Sequence, residues 1–145
     1  MNMETPTIYL LDTHIVSQLM RDAHGVAAQH YRARLESPHS CRMLTSIVVQ
    51  CELMYGLAKK PSPRLLAAYN IQMQQLPVLS LDDAVTPHYA TLRTHLEQLG
   101  TPIGPNDTLI AAHALALGAT LVSGDAEFLR VPGLRVENWL AGVSA

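Results

Sequence analysis

The sequence predicts an α/β fold in which a parallel sheet of four to five strands is covered by helices on both faces. Short apolar runs, such as Ile8–Leu11 and Ala119–Val122, alternate with longer segments whose apolar residues recur at helical spacing. That alternation is typical of a parallel sheet with helices on either side. The 145 residues, 48% of them hydrophobic, can bury a core of their own, so we expect a single domain over residues 1–145.

The first half of the chain divides into two strands and three helices. Ile8–Leu11 is an apolar run that follows Pro6, as expected for a buried strand. Ser37-Pro38 ends the second helix, and Lys59 followed by Pro61 is a normal stop for the third. The predicted elements are a strand at 8–11, helices at 13–20 and 25–36, a strand at 43–45 and a helix at 46–59.

The second half repeats this alternation. Thr86-Pro87 has the form of an N-cap followed by proline at the first helical position, and this helix ends at Gly100. Gly118 stops the next helix. The predicted elements are a helix at 64–76, a strand at 77–81, helices at 87–100 and 107–117, a strand at 119–122, a helical turn at 125–129 and a strand at 134–136.

Composition and charge exclude several kinds of nucleic-acid-binding protein. Ten basic and twelve acidic residues give a net charge of −2, which argues against a chain that coats nucleic acid. Aromatic residues make up only 5%, too few for the stacking surfaces of single-strand-binding domains. Charged residues make up 15%, against about 25% in ordinary domains, so we expect much of the chain to be buried in its core or against a partner.

The sequence also predicts a cytoplasmic protein without a membrane span or secretory signal. The longest nearly apolar stretch, Leu109–Val122, is shorter than the roughly 18 residues that indicate a span. The segment Met1–Pro6 is polar and has no basic residue, unlike a signal peptide. Cys41 and Cys51 are too few for a disulfide scaffold or a zinc site, and we predict both to be reduced core residues.

Four acids fall near the carboxyl ends of the predicted strands, where open α/β sheets bind ligands. Asp12 ends the first strand, Asp125 follows the fourth, Asp107 stands at a helix start, and Glu52 lies within a largely apolar helix. Two unit charges 4 Å apart cost roughly 4 kcal/mol at an effective dielectric of about 20. Because no Lys or Arg closely follows these positions, we expect Mg²⁺ or Mn²⁺ between them. Such a site activates water and holds a phosphate oxygen, which is the chemistry of phosphodiester hydrolysis.

Each of these acids also has a purely structural interpretation. Asp12 and Asp125 are placed to cap the helical turns that follow them, and Asp107 to cap its helix or to lie in the first turn. Glu52 fits such a role least well. Its helix is apolar almost all round and is therefore predicted to be buried, where a carboxylate needs a partner.

Several segments, in this order, resemble the PIN-domain family and most closely its VapC branch, the ribonuclease toxins of bacterial toxin–antitoxin pairs. They are Tyr9–Ile15, Glu52–Gly56, Gly100–Asp107 with Leu109–Ala114, and Val131–Trp139. The resemblance implies a PIN-like (Rossmann-like) sheet and a Mg²⁺- or Mn²⁺-dependent endoribonuclease, often acting on structured RNA such as tRNA. It also implies a homodimer and a small antitoxin that wraps the toxin and blocks its acidic pocket.

The resemblance places the family's motif acids on Asp12, Glu52, Asp107 and Asp125, and its Ser/Thr beside the last acid on Ser123. We expect Asp12 and Asp107 to bind the metal directly or through water, and Glu52 to complete the ligand sphere. Asp125 would orient a metal-bound water or hold a second ion. That water is the expected nucleophile, and since no 2′-hydroxyl takes part, the products would carry 5′-phosphate and 3′-hydroxyl ends.

Two features leave an alternative open. His14 stands where the family usually has Asn, and Glu127 lies two residues beyond Asp125 and could substitute for it. A non-catalytic PIN-like module that acts through protein binding is therefore the rival interpretation.

His88 and His95 are seven residues apart on one helix face and are expected to be solvated. Five basic residues are candidates for contacts with the RNA backbone: Lys59, Lys60, Arg64, Arg93 and Arg130.

Overall fold

The computed structural model describes residues 5–142, so the predictions made for Met1–Glu4 lie outside the described residues. One sheet of parallel strands runs through this part of the chain, in the order β3-β2-β1-β4-β5. The strands are β1 (Thr7–Leu11), β2 (Cys41–Ser46), β3 (Val78–Leu79), β4 (Thr120–Val122) and β5 (Arg135–Glu137). The predicted α/β fold with four to five parallel strands is confirmed.

The middle of the sheet is covered on both faces. Leu10 and Leu11 are both 0% exposed, as are Leu121 and Val122. Successive side chains of a strand point to opposite faces, so neither face of these strands is open to solvent. The strands are short and almost wholly apolar because every position has to fit a packed layer.

Six α-helices and one 3₁₀ turn connect the strands of residues 5–142, at almost the predicted positions. They are α1 (Thr13–Arg21), α2 (Val26–Glu36), α3 (Ile47–Lys59), α4 (Pro63–Gln75), α5 (Val85–Gln98), α6 (Pro105–Leu117) and the turn Ala126–Arg130. The prediction of Thr86 as an N-cap is wrong. Ala84 is the N-cap of α5, and the Thr86 hydroxyl donates to the carbonyl of Asp83 at 2.9 Å.

The arrangement of strands at the centre of the sheet determines where the site lies. β1 pairs with β2 on one side and with β4 on the other, with Leu11 opposite both Thr45 and Val122. The chain runs outward from β1 to β3 and then returns to β4 and β5, so the strand order reverses between β1 and β4. The carboxyl ends of strands at such a reversal flank the crevice where open α/β sheets bind ligands.

The prediction that α3 is buried all round is wrong. Val49 and Leu53 face the core, but Met54 and Tyr55 are 48% and 65% exposed. Cys51, predicted to be a core residue, is exposed on the same helix, and Cys41 is half-buried. Composition alone cannot separate a helix enclosed by its own chain from one that leaves an apolar face uncovered.

No helix among residues 5–142 is both long enough and apolar enough to cross a membrane.

Candidate active site

Asp12 links the end of β1 to the start of α1. Its side chain is 5% exposed, and its backbone amide extends the β1–β4 ladder by donating to the carbonyl of Val122 at 2.9 Å. One carboxylate oxygen accepts from the amide of Thr13 at 2.8 Å, and the other accepts from the hydroxyl of Ser123 at 2.7 Å. Burial raises the pKa of Asp12, while these two hydrogen bonds oppose the rise. Asp12 is therefore both the N-cap of α1 and a carboxylate held rigidly at the sheet edge.

Glu52 reaches the same edge from α3. Its Oε1 accepts from the hydroxyl of Thr13 at 2.6 Å. The partner that a half-buried glutamate requires is thus a neutral hydroxyl, not a cation. Thr13, which sequence reasoning did not single out for chemistry, joins the first and second acids through its amide and its hydroxyl.

Asp107 occupies the first turn of α6, whose N-cap is Gly104. Its pKa is raised to about 6, first by burial and then by the charges of Asp12, Asp125, Glu52 and Glu127. Asp12, Glu52 and Asp125, the other three acids predicted from the sequence, therefore all lie close enough for their charges to act on Asp107. A favourable helix dipole at the first turn does not cancel that repulsion.

Asp125 and Glu127 come from the turn after β4. Asp125 caps that turn by accepting from the amide of Glu127 at 2.9 Å, and its own amide donates to the hydroxyl of Ser123 at 3.1 Å. Carboxylate oxygens of Asp107, Asp125 and Glu127 all lie within 4.8 Å of one another. The capping interpretation of Asp125 and its place in the acidic group are therefore both correct. Glu127, the predicted substitute for Asp125, lies in the same group.

Five acids form the acidic group at this edge of the sheet: Asp12, Glu52, Asp107, Asp125 and Glu127. The chemistry of this acidic group suits a hard divalent cation. Its side-chain donors are carboxylate oxygens, the ligands that Mg²⁺ and Mn²⁺ prefer. Within residues 5–142, no Lys or Arg forms an ion pair with any of the five acids. The pKa of Asp107 is raised first by burial and then by the neighbouring negative charges, and a cation would neutralise those charges.

Comparison with known proteins agrees with this geometry. The sequence matches the model of the PIN domain family over residues 9–134. The chain belongs to the PIN domain family.

Relatives of this PIN domain carry nuclease names. Ribonuclease VapC2 of Rickettsia felis is 37% identical over 134 residues, which are 91% of this chain and 98% of the relative. The tRNA(fMet)-specific endonuclease VapC of Salmonella typhimurium is 37% identical over 77% of this chain and 85% of the relative. The solved structure of VapBC2 from Rickettsia felis, bound to a DNA fragment of its promoter, matches with a TM-score of 0.83 and 34% identity. That match covers 92% of this chain and 99% of the other.

His14, the departure from the family pattern, is exposed on this PIN domain. It lies beside Thr13 and Glu52 in the wall of a cleft that runs away from the acids. In the described part of the chain, the side-chain hydrogen bonds of Asp12 and Glu52 join them to Thr13 and Ser123, and none joins them to His14. Its charge acts weakly on Asp12, as the smallest of the influences on the pKa of that group.

The five basic residues that were candidates for RNA contacts differ in their surroundings. Lys60 and Arg64 line clefts beside α1 and α4. The Lys59 ammonium instead lies over the Tyr55 ring at 5.8 Å, and Arg93 is paired with Glu97 at 2.8 Å. Arg130 donates to the carbonyl of Pro102 at 3.4 Å. His88 and His95 are both exposed, as expected.

Proposed function

We propose that this protein is a Mg²⁺- or Mn²⁺-dependent endoribonuclease, the toxin of a type II toxin–antitoxin pair, with tRNA as its substrate class. The observation that carries the proposal is the convergence of four carboxylates, those of Asp12, Glu52, Asp125 and Glu127, on Asp107 at the carboxyl edge of a PIN-domain sheet. Relatives named as ribonucleases, one of them specific for tRNA(fMet), support the reaction and the substrate.

We assign roles from the contacts of each acid. Asp12 and Asp107 would bind the metal, with Ser123 and Thr13 holding the Asp12 carboxylate in one orientation. Glu52, Asp125 and Glu127 would complete or extend the ligand set, as their distances and charges allow. A bound Mg²⁺ or Mn²⁺ would polarise a phosphate oxygen and lower the pKa of water. Attack of that water on phosphorus, with departure of the 3′ oxygen, would leave 5′-phosphate and 3′-hydroxyl ends.

Cleavage of a tRNA(fMet) transcript tests this proposal. We expect cleavage by the wild type in Mg²⁺ or Mn²⁺ and none in EDTA. Asp107→Asn should lower the rate by more than about 100-fold, since residues that only orient metal ligands already contribute 10- to 100-fold. Asp83→Asn, an exposed acid outside the site, is the matched control. A wild type that binds Mn²⁺ but cleaves no RNA would favour the non-catalytic binding module instead.

We propose a small antitoxin as the protein partner, supported by the structural match to a VapBC complex. An Arg or Lys from that partner should enter the acidic pocket, because a cation there pairs with the same carboxylates that would bind the metal. Excess Mg²⁺ should then weaken inhibition modestly. A complex in which no basic side chain of the antitoxin lies near Asp12 or Asp107 would contradict this.

We also propose that this single domain forms a homodimer and acts in the cytoplasm, where its RNA substrate is found. The exposed apolar side chains of Met54 and Tyr55 on α3 support a self-association surface. Sedimentation velocity of the wild type and of Tyr55→Asp checks the dimer. A monomeric wild type, or a variant with an unchanged sedimentation coefficient, would argue against this surface.

A further inference from the structure

A cleft bounded by α1, α3 and α4 begins at the acidic group and runs away from it. The part nearest the acids has a volume of about 450 Å³ and includes Thr13 and Glu52 in its lining. A second part of about 290 Å³ shares four lining residues with the first, so the two are continuous. The shared residues are Met20, Arg21, Ser62 and Leu65. We call this continuous groove the α1–α4 cleft.

Cations line the α1–α4 cleft beyond its acidic end. Arg21 lines both parts, Lys60 the inner part and Arg64 the outer part. Arg21 donates to the hydroxyl of Ser17 at 3.2 Å, and within residues 5–142 none of the three cations pairs with a carboxylate. Glu52, at the inner end, is the single acid among the residues lining the described cleft. The cleft therefore offers three uncompensated positive charges next to the proposed site of phosphate chemistry.

Gly56 lies in the floor of the α1–α4 cleft, halfway between Glu52 and Lys60. Glu52 and Gly56 are four residues apart on α3 and so share one face at a spacing of about 6 Å, and Lys60 is the C-cap of the same helix. A Cβ built on Gly56 meets no described atom within 4 Å. Glycine inside a helix is destabilising relative to alanine, and here no packing within the described chain compensates for it. An open floor at this point is suited to the close approach of a ligand backbone.

We propose that the α1–α4 cleft holds the RNA strand that continues from the scissile phosphate. The strand would pass directly over Gly56, and its flanking phosphates would contact Arg21, Lys60 and Arg64. Charge complementarity favours a polyanion over a peptide as the occupant. The inference rests on the proposed ribonuclease function, and it adds the path of the substrate and the residues that hold it.

Binding of a fluorescein-labelled tRNA(fMet) transcript to the full-length chain in EDTA tests the cations without any cleavage. The triple variant Arg21→Gln, Lys60→Gln, Arg64→Gln should weaken binding and reduce the salt slope, by about 0.7 to 0.9 for each charge removed. Arg42→Gln is the control, because Arg42 is an exposed arginine early in β2, away from the carboxyl edge. It should leave the slope near the wild-type value.

Gly56→Ala tests the close approach of the RNA backbone to α3. The variant should be more stable than the wild type but should bind tRNA more weakly. Alanine should raise the melting temperature by about 2–4 °C, since it favours the helix and meets no steric obstacle. The same variant should weaken tRNA binding and raise KM with little change in kcat. Ala58→Gly, on the same helix but outside the cleft lining, should lower the melting temperature and leave binding unchanged.

The outcomes separate this inference from the proposed function. Wild-type tRNA binding by the triple variant and by Gly56→Ala would overturn the cleft assignment, even if Asp107→Asn abolishes cleavage. Loss of affinity for an antitoxin peptide alone, with tRNA binding intact, would identify a protein site and would also overturn it. Failure of the wild type to cleave any RNA would count against the function, while the binding measurements in EDTA still decide the cleft.

Discussion

The carboxyl group of Asp107 has a pKa raised to about 6, with burial as the first cause and neighbouring carboxylates as the rest. An unfolded aspartate has a pKa of about 3.9, so the metal-free folded state binds more protons than the unfolded state between about pH 4 and pH 6. The contribution of Asp107 to the stability of the metal-free protein should therefore fall as pH rises through this window. Metal binding requires the ionised form, so metal affinity should rise over the same range.

Asp107→Asn removes this charge while keeping the shape of the side chain. At pH 7.5 in EDTA, the variant should melt at an equal or higher temperature than the wild type, and the difference should shrink toward pH 4. Adding Mn²⁺ should stabilise the wild type at pH 7.5, less so at pH 5, and should hardly affect the variant. Thermal melts at several pH values measure this. A variant that is less stable across the whole range would show that Asp107 holds structure.

Ser123 acts through Asp12, to which its hydroxyl donates at 2.7 Å. Ser123→Ala removes a hydrogen bond that favours the ionised carboxylate, so the pKa of Asp12 should rise further. Mn²⁺ affinity at pH 7 should fall by about 10-fold or more, as for other residues that orient metal ligands. Calorimetric titration checks this, with Ser80→Ala as an exposed control. Equal affinities would remove Ser123 from the site.

At the scale of elements, α6 and α3 are joined by a polar contact in an otherwise apolar layer. The Nδ1 of His113 on α6 lies 2.8 Å from the hydroxyl of Ser46, the N-cap of α3. His113 is 2% exposed, and burial lowers its pKa, although the charge of Asp82 opposes this. The neutral ring is thus part of the helix contact.

His113 should make the protein less stable in mild acid. Its folded pKa is depressed, so below about pH 6.5 the unfolded state binds more protons, and stability is lost as pH falls. His113→Asn keeps an acceptor near Ser46 and cannot be protonated there. We expect the variant to lose about 1–3 kcal/mol at pH 7.5 and to show a smaller decline between pH 7 and pH 5. Urea unfolding at each pH measures the loss of stability at pH 7.5 and the decline between pH 7 and pH 5. The same decline in the variant as in the wild type would contradict this account.

At the scale of the whole molecule, the last described segment is held by one aromatic residue. Trp139 is 0% exposed, and its ring lies 5.5 Å from that of Tyr9 and 6.2 Å from that of His30. Its indole donates to Glu137, which is also paired with Arg34 at 2.7 Å. This cluster fastens the short edge strand β5 to α2 and β1.

Trp139→Ala should destabilise the protein by about 3–5 kcal/mol, because it leaves a large cavity against β1. The melting temperature should fall by about 10 °C. Circular dichroism measures the thermal unfolding of the variant, and the fluorescence of this single tryptophan measures that of the wild type. Leu129→Ala, at a 74% exposed position, is the control and should change little. A small loss for Trp139→Ala would mean that β5 and its cluster add little to the fold.

Element positions were predictable because their signals are local. Apolar runs, helix stops such as Gly118, the acids after the first and fourth strands and the acid at the start of α6 can be read from neighbouring residues. Asp12, Asp107 and Asp125 were found in this way, since parallel strands bring their carboxyl ends to one edge whatever the details of packing. The start of α5 was misplaced because Thr86 can bond either as a cap or back to the preceding turn.

The sequence by itself determined the fold class, the succession of strands and helices along the chain, and the four acids proposed for the site. Only the tertiary structure decided which surfaces are covered: Tyr55 is exposed, Lys60 and Arg64 line a cleft, and Arg93 is paired with Glu97. It also brought Thr13 to Glu52 across 39 residues and added Glu127 to the acids. Periodicity and capping depend on neighbours along the chain, whereas burial, ion pairing and clefts depend on distances that exist only once the chain has folded.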